Sequence, residues 1–324
     1  MENSILDVKN LTVYVTVDDR KFPVVHDLNF SVMKGEIFGI VGESGCGKTL
    51  TALSIPELLP DGIFQSKSSV VFENVILHSL TSKEKRNIYG KDISIIFQEP
   101  MTALNPLVTI KKQVEESLLL HTKMTKEQRH SRVKECLLEV GIHNVDQVME
   151  MYPHELSGGM RQRVMIASAV ICGPKLLIAD EPTTALDVTT QNQVLNLIKK
   201  INTMYGTSVL FISHDLKVVS SLCSRIAVMY AGTFVEQGSV QDVFNNPCHE
   251  YTKGLLASIP SAEKKGTRLA CIRGKVPSVI EAKMACAFAP RCDRAENRCY
   301  VDIPEKTVVS PEHYAWCHFS CSKE

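Results

Sequence analysis

No apolar run in this sequence approaches the ~18 residues that a membrane-spanning helix requires, and its first residues lack the basic-then-apolar order of a secretory signal. A cytosolic chain is therefore expected, with any membrane role reached through partners. An excess of one charge is missing too. Lys+Arg and Asp+Glu both number 36, so the chain has no electrostatic footprint for nucleic acid or an anionic membrane surface. Aromatic residues make up 6%, and no basic, aromatic-interleaved stripe is present to stack bases. Cysteine is in excess, with eleven in 324 residues. Their odd number and the expected reducing compartment argue against a disulfide framework. Five of them fall after residue 285, which points to a local metal site.

The most informative stretch is Gly42-Glu43-Ser44-Gly45-Cys46-Gly47-Lys48-Thr49. It follows an apolar segment, Ile37 to Val41, and precedes a helix expected to begin near Lys48, which is the order of a phosphate-binding P-loop. The glycines allow backbone angles and a close approach that a Cβ would block, so that successive N–H groups can converge on phosphate oxygens. The helix N-terminus adds partial positive charge. Lys48 would reach the β- and γ-phosphates, and the Thr49 hydroxyl would ligate a bridging magnesium ion.

Upstream, Val13, Val15 and Val17 alternate with polar residues, the period of a half-buried strand, and Leu28 to Val32 reads as its return. Tyr14 is a candidate to stack on adenine, with Phe22 as the alternative and core packing open to both. Downstream, Asp92 to Gln98 reads as a strand ending in a polar residue, where α/β sheets place ligands. Gln98 could touch magnesium or an attacking water. The next loop, Glu99 to Pro106, carries two prolines and is expected to be stiff, exposed and outside regular structure. Thr109 to Gly141 shows helical spacing at Val114, Leu118, Val133, Leu137 and Leu138, with a break near Thr125.

Leu156 to Gln162 opens another helix, with Ser157 as N-cap and with Gly158 and Gly159 leaving the first N–H groups bare for a phosphate. Leu176 to Asp180 is an apolar strand ending in two carboxylates. Asp180 would reach magnesium through a water, and Glu181 could polarise a nucleophilic water. A helix from Thr190 to Met204 follows, and then the strand Val209 to Ser213, ending at His214.

Taken in this order, the motifs resemble those of the nucleotide-binding subunit of an ATP-binding cassette transporter. Gly42 to Thr49 is similar to Walker A, Gln98 to the Q-loop, and Leu156 to Gln162 to the signature motif. Leu176 to Glu181 is similar to Walker B with its catalytic glutamate, Ala185-Leu186-Asp187 to the D-loop, and His214 to the switch histidine. Met160 stands where many cassettes have glutamine, and Thr184 where serine is usual. Phe97 to Pro106, Leu156 to Arg163 and the tail (Asn246 to Thr252, Gly274 to Ser278, Cys286 to Cys292) resemble the dipeptide/oligopeptide/nickel importer branch, D-type ATPase, although Glu250 replaces a usual proline.

The resemblance implies an α/β P-loop cassette over residues 1–250, with a RecA-like core, an antiparallel β subdomain and a helical insertion at about 106–172, followed by a small Cys-rich extension over 251–324. It implies ATP and Mg2+ as ligands and a dimer in which Ser157, Gly158 and Gly159 cap the γ-phosphate held by the partner. The partner would be a related F-type ATPase or a second copy. Two membrane permease subunits and an extracytoplasmic binding protein would complete an importer on the cytoplasmic face of the membrane. Its substrate would be di- or oligopeptides or, alternatively, a nickel or metal chelate. A soluble cassette in DNA repair or translation is the reading from another class. It is disfavoured by the balanced charge and by the lack of a second cassette.

In the tail, Cys286, Cys292, Cys299 and Cys317 are separated by five, six and seventeen residues, among prolines and with little apolar periodicity. Such a segment suits folding around a metal. Zinc accepts four thiolates, but its structural sites usually have shorter paired spacings, whereas an iron–sulfur core accepts thiolates from several directions. The resemblance implies a four-iron, four-sulfur cluster. Cys321 is an alternative last ligand.

Overall fold

Ile37–Val41 is a strand buried at every position, as an unalternating apolar run requires when both faces of a sheet are covered. It pairs in parallel with Arg225–Tyr230, from Phe38 opposite Arg225 to Val41 opposite Val228. Thr233–Ser239 returns antiparallel beside Arg225–Tyr230. His313–Trp316 and then Lys306–Ser310 continue this sheet antiparallel, so the C-terminal region adds strands to the sheet that carries the P-loop. A long hairpin, Ser4–Val17 and Arg20–Met33, turns through Asp18 and Asp19 with φ of 48° and 59°. Two consecutive left-handed residues give a turn whose twist matches that of the flanking strands. Ile63–Gln65 pairs with the first hairpin strand, placing Phe64 opposite Tyr14.

The computed structural model describes residues 3–65, 68–184, 186–260, 271–277 and 285–319. The chain divides into two compact units, one formed by Met1–Leu6, Val32–Glu36 and Phe72–Phe211, the other by Asp7–Ser31, Ile37–Val71 and Ile212–Glu324. The unit that holds the P-loop therefore also holds the tail.

In the first unit, Ile93–Ile96 and Leu176–Asp180 are parallel neighbours, with Ile96 opposite Ala179. Helices Ile110–His121, Lys126–Glu139, Val145–Glu150 and Gly158–Val170 pack on one another. Val114, Leu118, Val133 and Leu137 are buried as their spacing requires, while Leu138 is 52% exposed, one position too far round the helix. The break at Thr125 is a capping box: Thr125 Oγ1 accepts the Gln128 N–H, and Gln128 Oε1 accepts the Thr125 N–H.

The Glu99 to Pro106 segment departs from expectation. Pro100–Ala103 forms one helical turn, because a proline in the first turn forfeits an N–H that has no helical partner anyway. Leu104 is buried, and Leu107, just past the segment, is 85% exposed.

Candidate functional site

The P-loop is shaped by glycines of two kinds. Gly45 and Gly47 have φ of 80° and 104°, which a Cβ disfavours. Gly42 is required by proximity instead, since a Cβ there would lie 2.1 Å from the backbone oxygen of Met229. The loop is also tied to the turn after Tyr230, where Gly232 N–H donates to Cys46 O at 2.9 Å. Helix Lys48–Ser54 starts at the expected residue. Lys48 is 4% exposed, and its ammonium donates to the carbonyls of Gly42 and Glu43 at 2.9 and 3.0 Å. Ser44 and Gly45 are exposed, and Thr49 is half-buried. Tyr14 stacks on Phe64, with centroids 5.6 Å apart and planes 12° apart, so one ring face is covered by the neighbouring strand Ile63–Gln65.

The other unit assembles a second set. Because Ile96 and Ala179 are in register, Gln98 and Glu181 leave their strands side by side, and Gln98 Nε2 approaches Glu181 Oε2 at 3.4 Å. The same oxygen accepts from Thr184 Oγ1 at 2.9 Å. Asp180 and Glu181 are buried. Glu181 has a φ of 44°, a conformation that costs a non-glycine residue free energy and is concentrated at functional sites. The sequence shows the acid but not this strain. Ala185 lies outside the described residues. Asp187 caps helix Val188–Tyr205 by accepting the N–H groups of Thr189 and Thr190.

Ser157 caps helix Gly158–Val170, its hydroxyl accepting the Met160 N–H at 3.3 Å. The chain's own packing does not require glycine at the next two positions: a Cβ at Gly158 would meet nothing within 4 Å, and one at Gly159 would meet only Thr190 Cγ2 at 3.4 Å. Neither has a positive φ. Gln162, 1% exposed, donates to Pro182 O at 2.6 Å and so ties this helix to the turn after Glu181. Sequence reasoning did not identify that link. His214 follows the strand Ser208–Ser213 and is exposed.

The four tail cysteines converge. Cys286, Cys292, Cys299 and Cys317 line one cavity together with His249 and Phe319. Burial pushes the Cys286 thiol up to about 11, with the neighbouring Cys299 and Cys317 adding to the shift. It raises Cys292 and Cys317 as well. Cys321 lies outside the described residues. Among the described residues, the one group of ligand atoms all within 4.8 Å of one another is Glu236, Cys248 and His313, and Glu236 is the hydrogen-bond hub there. The Glu236 carboxylate accepts from Cys248 N and His249 N at 2.8 and 2.9 Å and meets His313 Nε2 at 2.9 Å. His249, its pKa lowered to about 4 by burial, stays neutral and caps helix Glu250–Ala257 through Nδ1.

Comparisons with known proteins identify the family. Residues 25–184 match the family model described as ABC transporter, and residues 235–299 match the oligopeptide/dipeptide transporter C-terminal region. The oligopeptide transport ATP-binding protein AppD of Bacillus subtilis is 46% identical over 303 residues, 93% of this chain and 92% of that protein. The dipeptide transport ATP-binding protein DppD of the same organism is 46% identical over 316 residues, 97% and 94% of the two chains. Among solved structures, a dimeric bacterial ABC transporter cassette matches with a TM-score of 0.65 and 29% identity, covering 72% of this chain and 98% of that one. No helix among the described residues is long and apolar enough to cross a membrane. The chain belongs to the ABC transporter family, in the branch of the oligopeptide and dipeptide transport ATP-binding proteins, and is an ATPase.

Proposed function

We propose that this chain hydrolyses ATP to power the import of di- and oligopeptides. The observation that carries the hydrolytic part is the Glu181 carboxylate, buried and held by Gln98 and Thr184. In this reading the loop amides of Gly42 to Thr49 and the Lys48 ammonium hold the phosphates, and Tyr14 offers its remaining ring face to adenine. Thr49 and Gln98 would hold the magnesium ion that arrives with ATP, with Asp180 acting on it through a water, and the ion would offset phosphate charge. Glu181 polarises a water for attack on the γ-phosphorus and takes up its proton, while the β–γ bridging oxygen leaves with ADP. His214 contacts the γ-phosphate. Catalysis is mostly positioning and charge stabilisation.

Gly158 and Gly159 support a site shared between two cassettes. Since the chain itself does not need glycine there, close approach of a group from outside explains both. Ser157 and these amides would cap the γ-phosphate of a partner, either a paralogous F-type ATPase or a second copy. Leu107, exposed beyond the Gln98 segment, is a natural contact for one of two permease subunits at the cytoplasmic face of the membrane. An extracytoplasmic binding protein would deliver the peptide. The peptide reading is supported by the names of the relatives, which are oligopeptide and dipeptide transport proteins; a nickel or metal-chelate cargo has no such support.

The four tail thiols are read as ligands of a four-iron, four-sulfur cluster, with zinc as the alternative. What supports a metal is that all four line one cavity, and what favours the cluster is their wide spacing in the sequence. Bound there, a cluster would cross-link residues 286–317 in place of an apolar core.

The functional test is uptake by vesicles containing the chain with its permease subunits and binding protein. Labelled di- or oligopeptide supplied outside with the binding protein should enter only when ATP is enclosed in the lumen, on the cassette side, and Lys48→Ala should abolish both ATP binding and uptake. Nickel uptake without peptide uptake would overturn the peptide reading.

A further inference from the structure

Glu43, the second residue of the P-loop, is gripped by the tail. Arg291 Nη1 and Nη2 donate to its two carboxylate oxygens at 2.7 and 3.1 Å, and its backbone N–H donates to the Tyr251 hydroxyl at 2.9 Å. The Arg291 side chain is 6% exposed. A sheltered, bidentate pair is directional and stronger than a surface ion pair.

Arg291 is itself immobilised. Its Nε donates to Arg273 O at 2.8 Å, and its Nη1 donates to the Tyr230 hydroxyl at 3.3 Å. Its guanidinium carbon lies 5.7 and 5.9 Å from the Tyr230 and Phe288 ring centres. The Tyr251 ring packs against Tyr230 at 4.6 Å and Phe288 at 5.4 Å. The result is a rigid aromatic bracket with two polar tips, and both tips touch Glu43. The third constraint on this residue is Lys48, whose ammonium donates to the Glu43 carbonyl. Side chain, N–H and C=O of one P-loop residue are thus all engaged.

We propose that Arg291 and Tyr251 are positioning residues for nucleotide binding. They fix the backbone of Glu43, and with it the curvature of the amides from Gly42 to Thr49, before ATP arrives. A loop already in its binding shape loses less conformational entropy when phosphate enters. This goes beyond the import reading and does not depend on what the four thiols hold. Because Arg291 immediately precedes Cys292, disturbance of the thiol cavity would reach the P-loop through the same contact.

The test is titration of the full chain with Mg-ATP, together with steady-state hydrolysis and thermal unfolding, for Arg291→Ala, Arg291→Lys and Tyr251→Phe. Arg291→Ala should raise the Kd for ATP roughly ten-fold, the scale of a lost charged hydrogen bond. Its kcat at saturating ATP should remain within about three-fold of wild type, since bound phosphates then hold the loop themselves. Tyr251→Phe, which removes only the hydroxyl, should also raise Kd, and Arg291→Lys should recover part of the loss. If Arg291→Ala does not fold, the other two variants decide. Wild-type Kd in the folded variants, with only a lowered unfolding temperature, would overturn the proposal and reduce the bracket to a structural staple.

Discussion

Gly42 and Gly45 stand three residues apart and serve different physical ends, which separates the consequences of replacing them. Gly45 has a positive φ and open space around it, so Gly45→Ala should cost about 1 kcal/mol of backbone strain. Gly42 lies against the Met229 carbonyl, and the 2.1 Å separation of a Cβ from that oxygen cannot be relieved by turning a side chain. Gly42→Ala should therefore cost more, about 2–3 kcal/mol, and displace the loop from the neighbouring strand. Thermal unfolding of the two variants checks this, and equal losses would contradict the assignment. That this stretch needs glycine is evident from the sequence. Which glycine faces a carbonyl far along the chain is not, because periodicity and spacing report only on near neighbours. The same holds for Glu181, where the acid at a strand end is legible but its φ of 44° is not.

Elements were legible where local chemistry decides them. The strand Ile37–Val41, the helix starting at Lys48, the Ser157 cap and the break at Thr125 all follow from composition and capping residues. The exception is Pro100–Ala103, where two prolines suggested an irregular loop and the first of them instead starts a helical turn. The tail was legible in its cysteines but not in its strands. Lys306–Ser310 and His313–Trp316 are short, and Thr233–Ser239, the strand beside which His313–Trp316 pairs, lies more than 70 residues earlier. The tail also carries a prediction of its own. Anaerobically purified protein should be brown, with iron and acid-labile sulfide near four per chain, and Cys292→Ser should lose both. Stoichiometric zinc in colourless protein would replace the cluster, and metal-free wild type would leave the four clustered thiols without an occupant.

For the whole molecule, the motifs proposed to carry ATP chemistry are divided between the two compact units. Lys48 and His214 belong to one, and Gln98, Ser157, Asp180 and Glu181 to the other. Their order along the chain was enough to identify the family. Missing from the sequence reading was the long-range tie between Glu43 and Arg291, 248 residues apart, because no local pattern links an arginine beside a cysteine to a phosphate loop. The central claim is that Glu181 drives hydrolysis of ATP held by the P-loop, and Glu181→Gln tests it most directly because the amide is nearly isosteric and cannot take the water's proton. ATP turnover and Mg-ATP affinity should be measured on the same protein. The account predicts turnover reduced by ~10²–10⁴-fold with affinity retained and an ATP-bound dimer accumulating; hydrolysis at the wild-type rate would contradict it.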